Sequence, residues 1–458
     1  MKIKIQMVID QDDQVITEDI VSLVRDDLSA ETLGMSLKES KDIAAGIQQS
    51  LVTHQITDYL IHHRACPCCG KSRWMKGYHS LVYRTLFGKL SVKSPRLYEC
   101  ACRAKTQTSF SPIAEILTEH IAPELQYLES KWSSLMSYGV TVNLLNEVLP
   151  LAVSQSSVYT NTQRVSQRLE KELGDEQMMF IEGCPAQWET LSRPDAPLTV
   201  GIDGGYVHAR DGDNRKAGWF EVIVGKSLQD DAPAKRFGFV ATYDKKPKRK
   251  LYEMLKHQGL QMNQAMTFLS DGGDTVRDLQ LFLSPQAEHI LDWFHVTMRL
   301  TVMKQFARSC STEHPFNLTD ELEHLKWYLW HGNVFRALSV IERLCFSLDP
   351  DTKNKNESKL MKALEDFETY IRNNRALIPN YSDRYHYGEV ISSAFVESAV
   401  NELVSQRMVK KQQMRWTQQG AHLLLQVRVK TLNQELKESF CRWYPKMEKE
   451  NEALPLAA

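Results

Sequence analysis

No stretch of this 458-residue chain approaches eighteen consecutive apolar residues, so no segment is long enough to cross a bilayer as a helix. The opening MKIKIQMVIDQDDQ lacks the apolar core of a signal peptide. Internal repeats and low-complexity tracts are absent as well. These absences exclude a membrane partner and point to the cytoplasm. Neither sign of charge dominates: 56 Lys and Arg stand against 57 Asp and Glu, for a net charge of −1. One local absence is more telling. From Leu403 to Gln434 there is no acid, while Arg407, Lys410, Lys411, Arg415, Arg428 and Lys430 supply six cations. A basic stripe of that kind can bind a polyanion even on a neutral chain.

What is present is ordinary in bulk, with 42% hydrophobic and 25% charged residues, and the length suggests two to four domains. The pattern divides as follows. Residues 1–62 read as a short strand followed by helices, 63–110 as a Cys-rich ribbon, 111–175 as helical and 176–197 as a linker. From 198 to 295 the order is three strands, helix, strand, helix, strand. Residues 296–388 are helical, and 389–458 hold a further helical stretch. Three hairpin-connected strands followed by two helix-separated ones is the order of an RNase H-like α/β domain. The long helical block would be an insertion before its closing helix.

Five of the nine cysteines fall between Cys66 and Cys102. Cys66-x-x-Cys69 followed by Gly70 has the form of a knuckle, and Cys100-x-Cys102 would complete a four-thiolate Zn²⁺ site. Cys68 is a spare, and His79 a weaker candidate ligand. Residues 138–173 read as helix, turn, helix, with Ser154 or Ser156 capping the second helix. Gln155, Tyr159, Thr160, Gln163 and Arg164 would then lie where a recognition helix meets base edges and phosphates.

Two apolar strands each end in Asp-Gly-Gly, at Asp203 and Asp271, 68 residues apart. As first and fourth strands of one sheet they would be neighbours. Adjacent carboxylates repel unless a divalent cation, Mg²⁺ or Mn²⁺, sits between them. Asp274, one turn into the next helix, could stand in for Asp271. Asp292-x-x-His295 at the end of the fifth strand is suited to orienting substrate or supporting the metal. A third acid could be Glu397 or Glu402, which point about 140° apart on a helix.

These residues resemble the DDE transposases of bacterial insertion sequences, most closely the ISKra group. The resemblance rests on GIDGGYV (201–207), SDGGDT (270–275), LDWFH (291–295) and SSAFVESAVNELVSQRMVKKQQMRW (392–416). It implies Asp203, Asp271 and Glu397 as the catalytic, Mg²⁺-binding triad, with block 296–388 as the insertion domain. It also implies double-stranded DNA at element ends and target DNA as partners, a homodimer or higher oligomer on DNA, and association with the nucleoid. Gln412 and Gln413 depart from the small residues expected in the basic run. A different reading is a zinc-containing DNA-binding regulator with an inactive RNase H-like domain. A third is a nuclease that cuts without joining.

Overall fold

The computed structural model describes residues 1–11, 14–102, 108–175, 181, 183–194, 196–210, 218–230, 232–310, 315–349, 354–409 and 414–447. The chain divides into two compact units, one of Met1–Ser166 with Gln434–Ala458, the other of Gln167–Asn433.

The first unit begins with an antiparallel hairpin, β1 (Lys2–Gln11) and β2 (Gln14–Val24). The expectation of a short strand followed by helices over 1–62 is corrected here. Glu18 and Asp19 break the apolar pattern of β2, and remote side chains compensate for them. Asp19 accepts hydrogen bonds from Lys4 and Gln6 at 2.8 and 2.6 Å, and Glu18 is bonded by Ser50 and His54. A single helix follows, α1 (Leu37–His63), started by a Ser36–Glu39 capping box. A three-stranded antiparallel sheet is built from β3 (Met75–Thr85), β4 (Gly88–Tyr98) and β5 (Ser109–Phe110). Its Leu81, Leu90 and Val92 bury with Ile113 against Val52, Ile56 and Leu60 of α1. Then come α2 (Pro112–Ile116), α3 (Pro123–Leu135), α4 (Tyr138–Val148) and α5 (Gln155–Leu173), whose residues from Gln167 onward belong to the second unit.

In the second unit a short helix, α6 (Pro185–Glu189), precedes the main sheet. That sheet contains β6 (Leu198–His208), β7 (Trp219–Leu228), β8 (Arg236–Val240), β9 (Met266–Ser270) and β10 (Glu288–Leu291). Helices α7 (Pro247–His257) and α8 (Asp274–Leu283) flank β9 in sequence. Among the described residues the strand order is β10-β9-β6-β7-β8. β6, β7 and β8 form an antiparallel meander, and β9 runs parallel to β6, so the first and fourth strands are neighbours. β10 lies parallel to β9 beyond it. One face of the sheet packs Val200, Ile202 and Phe268 against Leu251 and Leu255 of α7 and Val276 and Leu279 of α8.

The strand expected to continue through Asp292 ends at Leu291. The Asp292 carboxylate accepts the Phe294 N–H at 2.9 Å and caps α9 (Trp293–Ala307) instead. Helices α10 (Leu318–Trp330), α11 (Val334–Ser347), α12 (Lys355–Asn373) and α13 (Tyr381–His386) complete a helical block. Its core of Leu322, Leu325, Ile341, Leu364 and Phe367 is continuous with Leu269 and Leu291 of the sheet. The chain returns as α14 (Ala394–Val400), which passes into a π-helical stretch, Asn401–Val409, and then α15 (Gln418–Leu432). The last described helix, α16 (Leu436–Trp443), belongs to the first unit, where Phe440 meets Tyr127 edge-on. Segment 389–458, read as one closing region, is thus divided between the units.

Candidate active site and nucleic-acid face

The alternation of β6 decides where Asp203 lies. Side chains of a strand alternate between faces. Val200 and Ile202 occupy the α7–α8 face, so Gly201, Asp203 and Gly205 share the other. α14 crosses that second face at close range. A Cβ on Gly201 would come 2.1 Å from Val396, and one on Gly205 would come 3.0 Å from Val400. The glycines therefore permit the approach of the helix, and Asp203 stands between them. Gly201 pairs with Leu269 of β9. Two residues beyond that last pair come Asp203, still within β6, and Asp271, just past the end of β9. One oxygen of each is fixed by a backbone amide: Gly204 N–H donates to Asp203 at 2.8 Å, and Gly273 N–H to Asp271 at 3.0 Å.

His295 reaches this edge from the first turn of α9. Its Nε2 is 3.6 Å from Asp203 and 3.5 Å from Asp292. Hydrogen bonding to Asp203, with the charges of Asp292, Asp203 and Asp271, raises its pKa against the effect of burial. Asp292 is fully buried and accepts the backbone N–H of Ser393 at 2.9 Å as well as its hydroxyl. It therefore ties the end of β10 to the start of α14.

Glu397 is exposed on α14, between Val396 and Val400. The carboxylates of Asp203, Asp271 and Glu397 are not all within 4.8 Å of one another. Glu402 is engaged elsewhere, paired with Arg236 at 2.8 Å, and Glu389 pairs with Arg384 at 2.6 Å. The π-helical stretch after α14 is supported by Arg428, whose guanidinium donates to the carbonyls of Glu402 and Leu403 at 2.9 and 3.0 Å.

The sequence reading missed Glu221 on β7, which pairs across from Tyr206. Its carboxylate occupies the space beside Gly204, 2.8 Å from where a Cβ would stand. Burial, and then Asp271 and Asp203, push its pKa up. The available signal was a single acid inside the apolar run WFEVIVG.

In the first unit, the sulfurs of Cys66, Cys69, Cys100 and Cys102 all lie within 4.8 Å of one another, a set that can hold a metal ion. Neighbouring sulfurs are 3.4–3.6 Å apart. A tetrahedral ion with Zn–S bonds of about 2.3 Å needs edges of about 3.8 Å, and a disulfide needs about 2.05 Å. The Cys66 thiol is lowered to about 6, chiefly by the backbone amides of Cys69 and Cys68. The Cys102 thiol is raised by the sulfurs of Cys100, Cys66 and Cys69 around it. Cys68 is exposed and outside the cluster.

α5 buries Val158, Val165 and Leu169 along one stripe and leaves Gln155, Tyr159, Thr160 and Arg164 exposed on another. Ser154 is its cap, accepting the Ser157 N–H at 3.2 Å. Asn146 holds the turn before it, exchanging two hydrogen bonds with the backbone of Val153. Gln163 is half-buried, and its amide nitrogen lies inside. Of the basic stripe in the second unit, Arg415 is exposed, and Lys410 and Lys411 lie outside the described residues. Arg407, expected at a DNA surface, is fully buried, its guanidinium 5.3 Å from the Trp416 ring. A cation–π contact has replaced solvent there.

A second group with ligand-like spacing is Glu170, Asp244 and His422. Lys250 already supplies a cation, 2.5 Å from Glu170 and 3.7 Å from Asp244. Burial alone would raise the Glu170 carboxyl, but His422 and Lys250 outweigh it and hold it at about 2. This cluster is an internal ion pair network.

Among the described residues no helix is long and apolar enough to cross a membrane. No family model and no curated protein matches the chain. Among solved structures it is similar to the Drosophila P element transposase strand transfer complex, with a TM-score of 0.31 and 11% identity over 69% of this chain and 93% of that one.

Proposed function

We propose that the chain is a DDE-type transposase, an enzyme that cuts and rejoins DNA strands at the ends of an insertion sequence with Mg²⁺ or Mn²⁺. One observation carries the reading: Asp203 and Asp271 each lie two residues beyond the last pair of the adjacent parallel strands β6 and β9, and α14, which bears Glu397, crosses the same face of β6 as Asp203. The strand order 3-2-1-4-5, with only the second strand reversed, supports an RNase H-like domain. The donor set fits a hard divalent cation, since carboxylate oxygens are its preferred ligands. Such ions, when bound, activate a water or 3′-hydroxyl and stabilise the leaving oxygen of a phosphodiester.

The chain's own residues would do the rest. Asp203 and Asp271 would hold the ion, with one oxygen of each already oriented by a backbone amide. Glu397 of α14 would complete the set. Asp292 positions His295 and the start of α14. The Cys66, Cys69, Cys100 and Cys102 cluster would hold a structural Zn²⁺. α5 would enter a major groove with Gln155, Tyr159, Thr160 and Arg164, and Arg415 with Lys410 and Lys411 would contact phosphates. The test is Asp271→Asn. Strand cleavage and transfer on oligonucleotides carrying the element's ends should fall by at least about a thousandfold, while binding of that DNA stays within about twofold. Loss of binding together with activity would show that the acid is structural.

A further inference from the structure

Gly272, next to Asp271, adopts φ +89°, a conformation glycine tolerates and other residues resist. The space beside it is taken. A Cβ there would come 2.3 Å from the side-chain oxygen of Asn374. Asn374 is the C-terminal cap of α12, in the helical block, and is buried. Its side-chain amide donates to the Tyr370 carbonyl at 2.9 Å, which fixes the oxygen toward the Asp271 turn. Arg277, one turn into α8, donates to that same oxygen at 3.5 Å. On its other side the turn is held by Ser270, whose hydroxyl accepts the Gly272 N–H at 3.0 Å and meets His289 at 2.8 Å. Asp271 therefore sits on a turn clamped between the sheet and the helical block.

We infer that Asn374 is a positioning residue for Asp271: through it, the helical block sets the geometry of the metal-binding edge. The inference rests on the proposed metal site and concerns a residue that touches neither substrate nor metal. Groups that orient a metal ligand typically change affinity by about 10–100-fold when removed.

The experiment is a Mn²⁺ titration followed by electron paramagnetic resonance, on the full chain and without DNA, beside thermal melts. Asn374→Ala should weaken Mn²⁺ binding about tenfold and keep the wild-type melting temperature within a few degrees. Gly272→Ala should weaken it too, by collision with Asn374. The double variant should bind better than Gly272→Ala alone, because the collision is gone; such non-additivity reports direct coupling. Asn374→Ser, which keeps a donor for Tyr370, replaces the alanine variant if that does not fold. Wild-type Mn²⁺ affinity in a folded Asn374 variant overturns the inference and leaves the metal site standing. A wild-type protein that binds Mn²⁺ no better than Asp203→Asn/Asp271→Asn overturns both.

Discussion

Glu129 shows how a single residue can set the pH response of the first unit. It is fully buried on α3, with one oxygen taking the Asn161 amide at 2.6 Å and the other without a hydrogen bond. Burial pushes its carboxyl up to about 7, against the Asn161 bond and the Arg84 charge. The folded state thus keeps a proton that the unfolded chain releases near pH 4.5. Stability is fully present below that pH and declines as pH rises through 7. The loss levels off at about 3 kcal/mol, at about 1.4 kcal/mol per pH unit. Glu129→Gln keeps an acceptor for Asn161 and carries no ionisable proton. Urea unfolding at pH 5 to 8 should therefore be flatter for the variant, with the variant more stable at pH 8. Parallel slopes for the two proteins would show that Glu129 does not titrate in this range. No sequence pattern marks Glu129, because its burial depends on Asn161 from a helix 32 residues away.

At the scale of elements, legibility followed locality. The end of β9 before Asp271-Gly-Gly was readable, because glycine is a local signal and parallel neighbours follow from the helix between them, whereas β6 does not end at Asp203-Gly-Gly as expected but runs on to His208, paired throughout with β7. The cap at Ser154 was readable for the same reason. β2 was not, since its acids are neutralised by Lys4, Gln6, Ser50 and His54 from other elements. Arg407 looked like a surface cation because nothing local announces that Trp416 folds over it. The four cysteines were readable as a knuckle and its complement. If they hold zinc, native mass spectrometry should find one ion per chain. Cys69→Ser with Cys100→Ser should lose it and lower the melting temperature of the full chain. Full metal content in that variant would place the ion elsewhere.

For the whole molecule, the proposed function assigns DNA reading to the exposed face of α5 in the first unit and chemistry to the sheet of the second. This division predicts two kinds of binding defect. Tyr159→Ala on α5 should cost about 1–3 kcal/mol on end DNA and little on random DNA, since base contacts discriminate. Arg415→Ala in the second unit should weaken both equally, and should reduce the slope of log affinity against log salt by about 0.9, one phosphate's worth of counterions. Titrations at several salt concentrations check both. A sequence-selective defect in the arginine variant would mean that the roles are exchanged.

Asp292 joins what the chain separates. Its carboxylate takes the Ser393 N–H at 2.9 Å, and the Trp293 N–H meets the Ile391 carbonyl at 3.2 Å. The whole helical block therefore departs from the sheet and rejoins it at one stitch, like a pocket sewn onto a coat. The spacing of 126 positions from Asp271 to Glu397 in sequence imposes no corresponding distance in space. A change in length between α9 and α12 should therefore leave both acids in place, provided that stitch and the Asn374 end of the block are kept.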